Sequence, residues 1–258
     1  MQNNIFLGLF VGHNTVTLKQ VDSTNSWLKQ ALSNSAPLAE GTVIMAEAQL
    51  AGRGQSENVW VSEPGKNLTF SILLNPRFLD IQRQFDLNIA ISIAINDVLA
   101  SYLGIATTIK WPNDCYIGDC KIGGILIENI VQGSQIKHAI IGIGLNVNQI
   151  EFPPYLHNVT SFKKILHIDY DLQTIMNEIC RSVEARYLQL KAGKYNSLHT
   201  DYLNKLYRFD VWAPYKINGE VVSGRISGVS PEGFLMVETD AGLKRFGLKE
   251  IEFLKEIQ

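Results

Sequence analysis

Cysteine is scarce in this 258-residue chain: Cys115, Cys120 and Cys180 are its only three. Thiols so few and so irregularly spaced build no disulfide framework. No second Cys or His pair accompanies Cys115 and Cys120 to complete a zinc set, and the five histidines are scattered. The sequence therefore predicts no protein-built metal site. An excess of one charge is missing too. Lys and Arg number 23 against 25 Asp and Glu, a net charge of −2, so no basic field supports a nucleic-acid role. There is no G-x-x-x-x-G-K-[ST] run, and no G-x-G-x-x-G follows a strand in the first βαβ unit. These absences argue against a P-loop and against a dinucleotide fold. The N-terminal MQNNIFLGLFVGH has a short apolar run without a basic stretch before it, which is not a secretory signal. No run reads as long enough to span a membrane, and a cytoplasmic protein is expected. Repeats and low-complexity segments are absent as well.

What is present is the composition of a soluble globular protein, 46% hydrophobic and 19% charged. The length suits one large domain, or a medium one with a small one appended. The densest chemistry lies in KWPNDCYIGDCKIGGILIE, Lys110 to Glu128. Pro112 cannot donate to a ladder and biases Trp111 towards extended backbone. The stretch reads as a strand IATTIKW, a turn at PND, a short strand CYI, a turn at Gly118-Asp119, and a strand KIGGILIENI. Gly123-Gly124 inside a strand marks either a bulge or the close approach of a ligand or another backbone. Two nearby lysines make an anionic ligand the functional reading; ordinary turns with solvated lysines are the alternative.

Earlier in the chain, VTLKQV reads as a strand ending in Asp22-Ser23-Thr24-Asn25, followed by a helix SWLKQAL. Ser23 or Thr24 could cap that helix, and the four small polar side chains could also form a ledge for a polar ligand group. A strand TVIMAEA leads into the polar segment Gln49 to Trp60, whose Gly52-Arg53-Gly54 holds one guanidinium on a pliable backbone. NLTFSILLN reads as a buried strand. In DLNIAISIAINDVLASYLG, Leu87, Ala90, Ile91, Ala94, Ile95, Val98, Leu99 and Tyr102 fall at helical spacing. KHAIIGIGLNVN is a buried strand delivering Asn146 and Asn148 at its end, and DLQTIMNEICRSVEARYLQL and YNSLHTDYLNKL read as helices. From about Tyr207 only short strands occur, separated by Asn218-Gly219, Pro231-Glu232-Gly233 and Asp240-Ala241-Gly242. Asn-Gly is a strong hairpin signal. The fold class is α+β: a mixed sheet with flanking helices over residues 1–206, then a small β-barrel over residues 207–258.

These motifs, in this order, resemble those of the biotin protein ligases: Asp22-Ser-Thr-Asn25; Gln49 with Gly52-Arg53-Gly54 and Trp60; Lys110-Trp-Pro-Asn-Asp114; Lys121-Ile-Gly-Gly-Ile-Leu126; Gly142-Ile-Gly-Leu-Asn146; and an SH3-like tail. The resemblance covers nearly the whole chain. It implies activation of biotin by Mg-ATP to biotinyl-5′-AMP, then transfer to one lysine of a biotin carboxyl carrier protein. Carboxylate attack on a phosphate brings two anions together, so cations must offset the charge. Family position gives Lys121 and Arg53 that catalytic role. It assigns biotin contacts to Ser23, Thr24, Asn25, Gln49, Gly52, Arg53, Gly54, Gln55, Lys121, Gly123 and Gly124. ATP or adenylate contacts fall to Arg53, Trp60, Lys110, Asn113, Asp114 and Asn146. Mg²⁺ would arrive with ATP and keep waters. The loop Gly52 to Trp60 should be mobile when empty and close over the adenylate.

Two departures from the family pattern stand out. The usual loop is close to G-R-G-R-x-G-R-x-W, and here Gln55 and Asn58 replace its later arginines while Glu57 replaces its third glycine. The loop is thus expected to hold biotinyl-AMP less tightly. The strand VTLKQV also begins within about twenty residues of Met1. That leaves no room for the winged helix of repressor-type members, so a monofunctional ligase that binds no DNA is expected, as monomer or homodimer. Two alternatives stay open. A lipoate or octanoate ligase shares the chemistry, but its Arg-Arg-x-Ser-Gly-Gly-Gly-Ala run is missing. The other is a regulator that binds biotinyl-AMP without transferring it.

Overall fold

The computed structural model describes residues 9–34, 38–55, 58–104 and 107–255. Glu57, the N-terminal Met1 to Gly8 and the first two residues of IATTIKW lie outside them. Strand β1 (Thr15–Val21) runs parallel to β2 (Val43–Gln49), a pairing that requires a crossover, here helix α1 (Thr24–Ser33). Five further strands are antiparallel: β3 (Leu68–Leu74), β4 (Thr107–Lys110), β5 (Asp114–Ile117), β6 (Cys120–Gln132) and β7 (Gln135–Leu145). They give a seven-stranded mixed sheet in the order β1-β2-β3-β7-β6-β5-β4.

Alternating residues divide the sheet into two packed faces. Ile44, Leu73 and Ile140 point to one side and close on Leu28 of α1. Val43, Phe70, Ile72 and Ile141 point to the other and join the main core beneath α2 (Gln84–Leu103). All seven residues of β3 are buried, as expected of a strand covered on both faces. The helical run from Ile81 to Leu103 is 23 residues long and holds an 18-residue stretch with a mean hydropathy of 1.2, which corrects the reading that no run has spanning length. Two-thirds of that stretch is buried: α2 packs on the sheet and on α4 (Leu172–Lys191) and α5 (Tyr195–Asn204), which is why it is so apolar. A five-residue helix α3 (Phe162–Leu166), absent from the sequence reading, is capped by Ser161, whose Oγ accepts from Lys164 N–H at 3.1 Å.

The C-terminal strands β8 (Trp212–Ile217), β9 (Glu220–Val229), β10 (Leu235–Thr239), β11 (Gly242–Phe246) and β12 (Ile251–Phe253) form a second antiparallel sheet, ordered β11-β10-β9-β8-β12. Asn218 and Gly219 turn β8 into β9 with φ of 51° and 88°, the left-handed pair that such a two-residue hairpin needs. This sheet is braced against the first unit at the turn before β10. There the Trp111 indole donates to Gly233 O at 3.0 Å.

Candidate active site

On the α1 side of the sheet, a depression opens where side chains are missing. Gly124 pairs with Gly144 and Leu126 with Gly142 across β6 and β7, so three glycines share that face around Leu126. At two of them a side chain would displace a neighbour. A Cβ on Gly144 would lie 2.4 Å from Trp60 Cε2, and one on Gly142 would lie 2.5 Å from Asn25 Oδ1. Gly123 faces the other way, its absent Cβ 2.9 Å from Gly144 O, and the absent Cβ of Gly124 would lie 3.2 Å from Asp114 Oδ1 and 3.4 Å from Lys121 Nζ. The close approach expected of Gly123-Gly124 is thus shared by strand β7.

The ledge at the mouth of α1 is ordered by its neighbours rather than by capping. Ser23 occupies the N-cap position without a side-chain cap bond. Instead the Thr24 N–H donates to Gln49 Oε1 at 2.8 Å, and Thr24 Oγ1 reaches the same oxygen at 3.1 Å. A side chain from β2 so satisfies a helix-start donor. Ser71 Oγ lies 2.7 Å from Thr24 Oγ1 and 2.6 Å from Asn25 Oδ1. Asn25 Nδ2 donates to Leu126 O at 3.3 Å and to Glu128 Oε2 at 2.9 Å. Ser23, Thr24 and Asn25 are all buried.

Residues 52–54 and 58–60 pair as the two arms of a tight antiparallel hairpin. Arg53 bridges Val59, Gly54 N–H donates to Asn58 O at 2.7 Å, and Trp60 N–H donates to Gly52 O at 2.9 Å. The missing Gly52 Cβ would be 2.3 Å from Trp60 O, so only glycine lets the two arms meet. Gln55 and Asn58, the replacements for the family arginines, line the cavity below. Arg53 forms an ion pair with Glu128, and the Trp60 indole sits on Gly144.

Lys121 Nζ lies 2.7 Å from Asp114 Oδ1. The Asn113 side chain is buried and donates to Ile125 O, while the Asn113 backbone carbonyl accepts from Ile125 N–H at 3.1 Å. That exchange fastens the PND turn to β6. Lys110 is not brought into the cavity. Its ammonium sits 3.3 Å from Tyr116 Oη and 5.0 Å from the centre of the Phe253 ring. Burial pulls the Lys110 pKa down, partly offset by Asp114.

The structure gathers the remaining predicted residues around two cavities, except Gly52 and Gly123, which line neither. The first, about 120 Å³, is lined by Ser23, Thr24, Asn25, Gln49, Arg53 and Leu126, among others. The second, about 90 Å³, lies on the far side of Trp60 and is lined by Asn146, Phe152, Leu156 and Val159. Val59, Trp60 and Lys121 line both. Asn146 Nδ2 donates to Thr160 O at 3.1 Å, but its buried Oδ1 has no partner among the described residues, nor has Trp60 Nε1. Buried polar atoms without partners invite a ligand donor or acceptor.

Ser71, Glu128, Gly142 and Gly144 were not among the predicted site residues. Ser71 hides in an apolar strand, NLTFSILLN. Period-two counting from Gly124 through Leu126 does reach Glu128, and the motif Gly142-Ile-Gly-Leu-Asn146 contained both glycines without saying what they face.

The profile of the biotin/lipoate A/B protein ligase family matches residues 17–146. The bifunctional ligase/repressor BirA of Bacillus subtilis is 30% identical over 248 residues, covering 94% of this chain and 74% of that protein. A biotin–[acetyl-CoA-carboxylase] ligase of Mycobacterium tuberculosis is 30% identical over 175 residues, 66% of this chain and 62% of that protein. Among solved structures, the biotin protein ligase from Aquifex aeolicus in complex with biotin and ATP superposes with a TM-score of 0.78 at 26% identity. It covers 95% of this chain and 100% of that one.

Proposed function

Because the chain belongs to the biotin/lipoate A/B protein ligase family, we infer that it is an ATP-dependent biotin protein ligase and propose the following division of labour. A biotin carboxylate oxygen attacks the α-phosphorus of ATP, the bond to the leaving pyrophosphate breaks, and biotinyl-5′-AMP forms. The ε-amine of one lysine on a biotin carboxyl carrier protein then attacks the acyl carbon. AMP departs and the amine nitrogen loses its proton. The observation that carries this reading is the pair of cavities meeting at Lys121.

In this reading the first cavity holds biotin, with its ureido head against the ledge of Ser23, Thr24, Asn25 and Gln49 and its chain over Leu126. Lys121 and Arg53 face the joint, where negative charge accumulates as carboxylate and phosphate meet. The second cavity takes the adenine: Asn146 Oδ1, lacking a partner, accepts from the exocyclic amine, and Trp60 walls the ring. Asp114 lines the first cavity beside Lys121, and a single carboxylate suits a Mg²⁺ that arrives with phosphates and keeps its waters. Mg²⁺ supplies charge neutralisation of the polyphosphate; Lys121 and Arg53 orient it and offset what remains. The hairpin Gly52 to Trp60 excludes water from the anhydride. Residues 1–206 carry this chemistry and residues 207–258 brace the WPND turn. The net charge of −2 supports a ligase that binds no DNA, which a gel shift with operator fragments would check.

Pyrophosphate exchange into ATP, with biotin, lipoate or octanoate offered in turn, tests the proposal. Exchange with biotin alone, reduced at least a hundredfold in Lys121→Ala, is expected. Exchange with lipoate instead would move the chain to the sister activity. No exchange with any acid, despite tight binding of biotinyl-AMP, would leave a binding protein.

A further inference from the structure

We propose that Glu128 is the positioning residue for Arg53 and, through it, for the hairpin Gly52 to Trp60. The kinetic part of this inference rests on the biotin ligase reading; the structural part does not. Glu128 follows Gly124 and Leu126 on the cavity face of β6. A carboxylate there stands beside a site meant for two anions, where a like charge opposes binding. It is tolerated because its charge is committed. Glu128 Oε2 accepts from Asn25 Nδ2 at 2.9 Å and from Arg53 Nη2. Asn25 cannot swing aside, since its amide lies against the backbone of Gly142 and its Oδ1 is 2.6 Å from Ser71 Oγ. The carboxylate therefore has a fixed address, and the guanidinium inherits it.

This matters because, among the described residues, Glu128 is the one hydrogen-bond and ion-pair partner of the Arg53 side chain. The side chain is about two-fifths exposed, so its ion pair contributes little to global stability. Its consequence is geometric. One oxygen ties the polar ledge of the first cavity to the cation at its rim, so the ledge and the hairpin are read by one carboxylate. An amide at 128 keeps an acceptor for Asn25 and removes the charge that holds Arg53.

Glu128→Gln, Glu128→Asp and Arg53→Gln, with the double variant Glu128→Gln/Arg53→Gln, test the inference. In the ligand-free protein, hydrogen exchange at the Gly54 and Trp60 amides is expected to quicken about tenfold in Glu128→Gln, with amides of β3 unchanged. In pyrophosphate exchange, Glu128→Gln should raise the KM for ATP about tenfold with a smaller change in kcat, and Glu128→Asp should restore part of it. In an Arg53→Gln background, Glu128→Gln should add less than twofold. Equal effects in both backgrounds, or hairpin amides that exchange as in the wild type, would overturn the proposal. If the wild type itself shows no exchange with biotin, the ligase reading fails, while amide exchange still decides whether Glu128 holds the hairpin.

Discussion

Replacing Gly144 by alanine places one methyl group where the structure has none to spare. The added Cβ would sit 2.4 Å from Trp60 Cε2 and 2.7 Å from Cδ2 and Cζ2. Carbon atoms are at ease about 3.5–4.0 Å apart, so the indole must retreat by more than about 1 Å. Gly144 lies in the middle of the sheet between β3 and β6, whereas Trp60 ends a surface hairpin. The hairpin is the part that moves. Overpacking of this kind costs about 1–3 kcal/mol, and here it falls on the closed hairpin rather than on the fold. Converted at 1.36 kcal/mol per decade, biotinyl-AMP should leave about 5 to 150 times faster, and the KM for ATP should rise in step. The melting temperature should change little. Release of labelled biotinyl-AMP, chased with excess unlabelled intermediate, measures the first; pyrophosphate exchange measures the second. Trp60→Ala removes the clashing ring, so Gly144→Ala should cost nothing further in that background. Wild-type release from Gly144→Ala, or an undiminished cost of Gly144→Ala in Trp60→Ala, would refute the argument that the indole's seat on β7 shapes the site.

Gly233 has φ +96° and its absent Cβ would lie 2.4 Å from Phe85 Cδ2, while its carbonyl receives the Trp111 indole. Gly233→Ala should cost about 1–3 kcal/mol from strain and crowding and should slow pyrophosphate exchange, because the WPND turn loses its brace; thermal melts and exchange rates together check this. Glu184 is buried and accepts from the N–H groups of Leu9, Phe10 and Val11, two of them at 2.7 and 2.8 Å from Oε2. Glu184→Ala strands three donors and should lower stability by about 3 kcal/mol in urea unfolding. Burial, then Lys137 and Arg77, hold the His138 pKa below its ordinary 6.5. Below about pH 6.5 the unfolded chain gains a proton that the folded chain refuses, so stability should fall as pH drops from 6.5 towards the folded value and then level off. His138→Asn should flatten that slope in melting temperatures taken between pH 7.5 and 5.

Much of the architecture was legible because it rests on local pattern. Alternation in VTLKQV, the apolar run of TVIMAEA, helical spacing after Leu87, and the Asn218-Gly219 signal each act over a few residues, and each produced its element. Lys110 was harder. Its place in a motif does not tell which side of the β4–β5 hairpin holds its ammonium, and packing against Tyr116 and Phe253 takes it towards the barrel. Ser23 was read as a possible cap, but Gln49 from a neighbouring strand had already satisfied the helix donor.

By itself the sequence determined which groups are available: two cations, a run of small polar side chains, and paired glycines on two strands. Their order was enough to name a family. Tertiary structure alone decided who faces whom. Glu128 meets Asn25 across 103 positions and Arg53 across 75, and Gly144 is required by an indole on a hairpin far behind it in the chain. Such pairings depend on strand order and register, which are settled by the burial of whole faces, and no local stretch of chain encodes them.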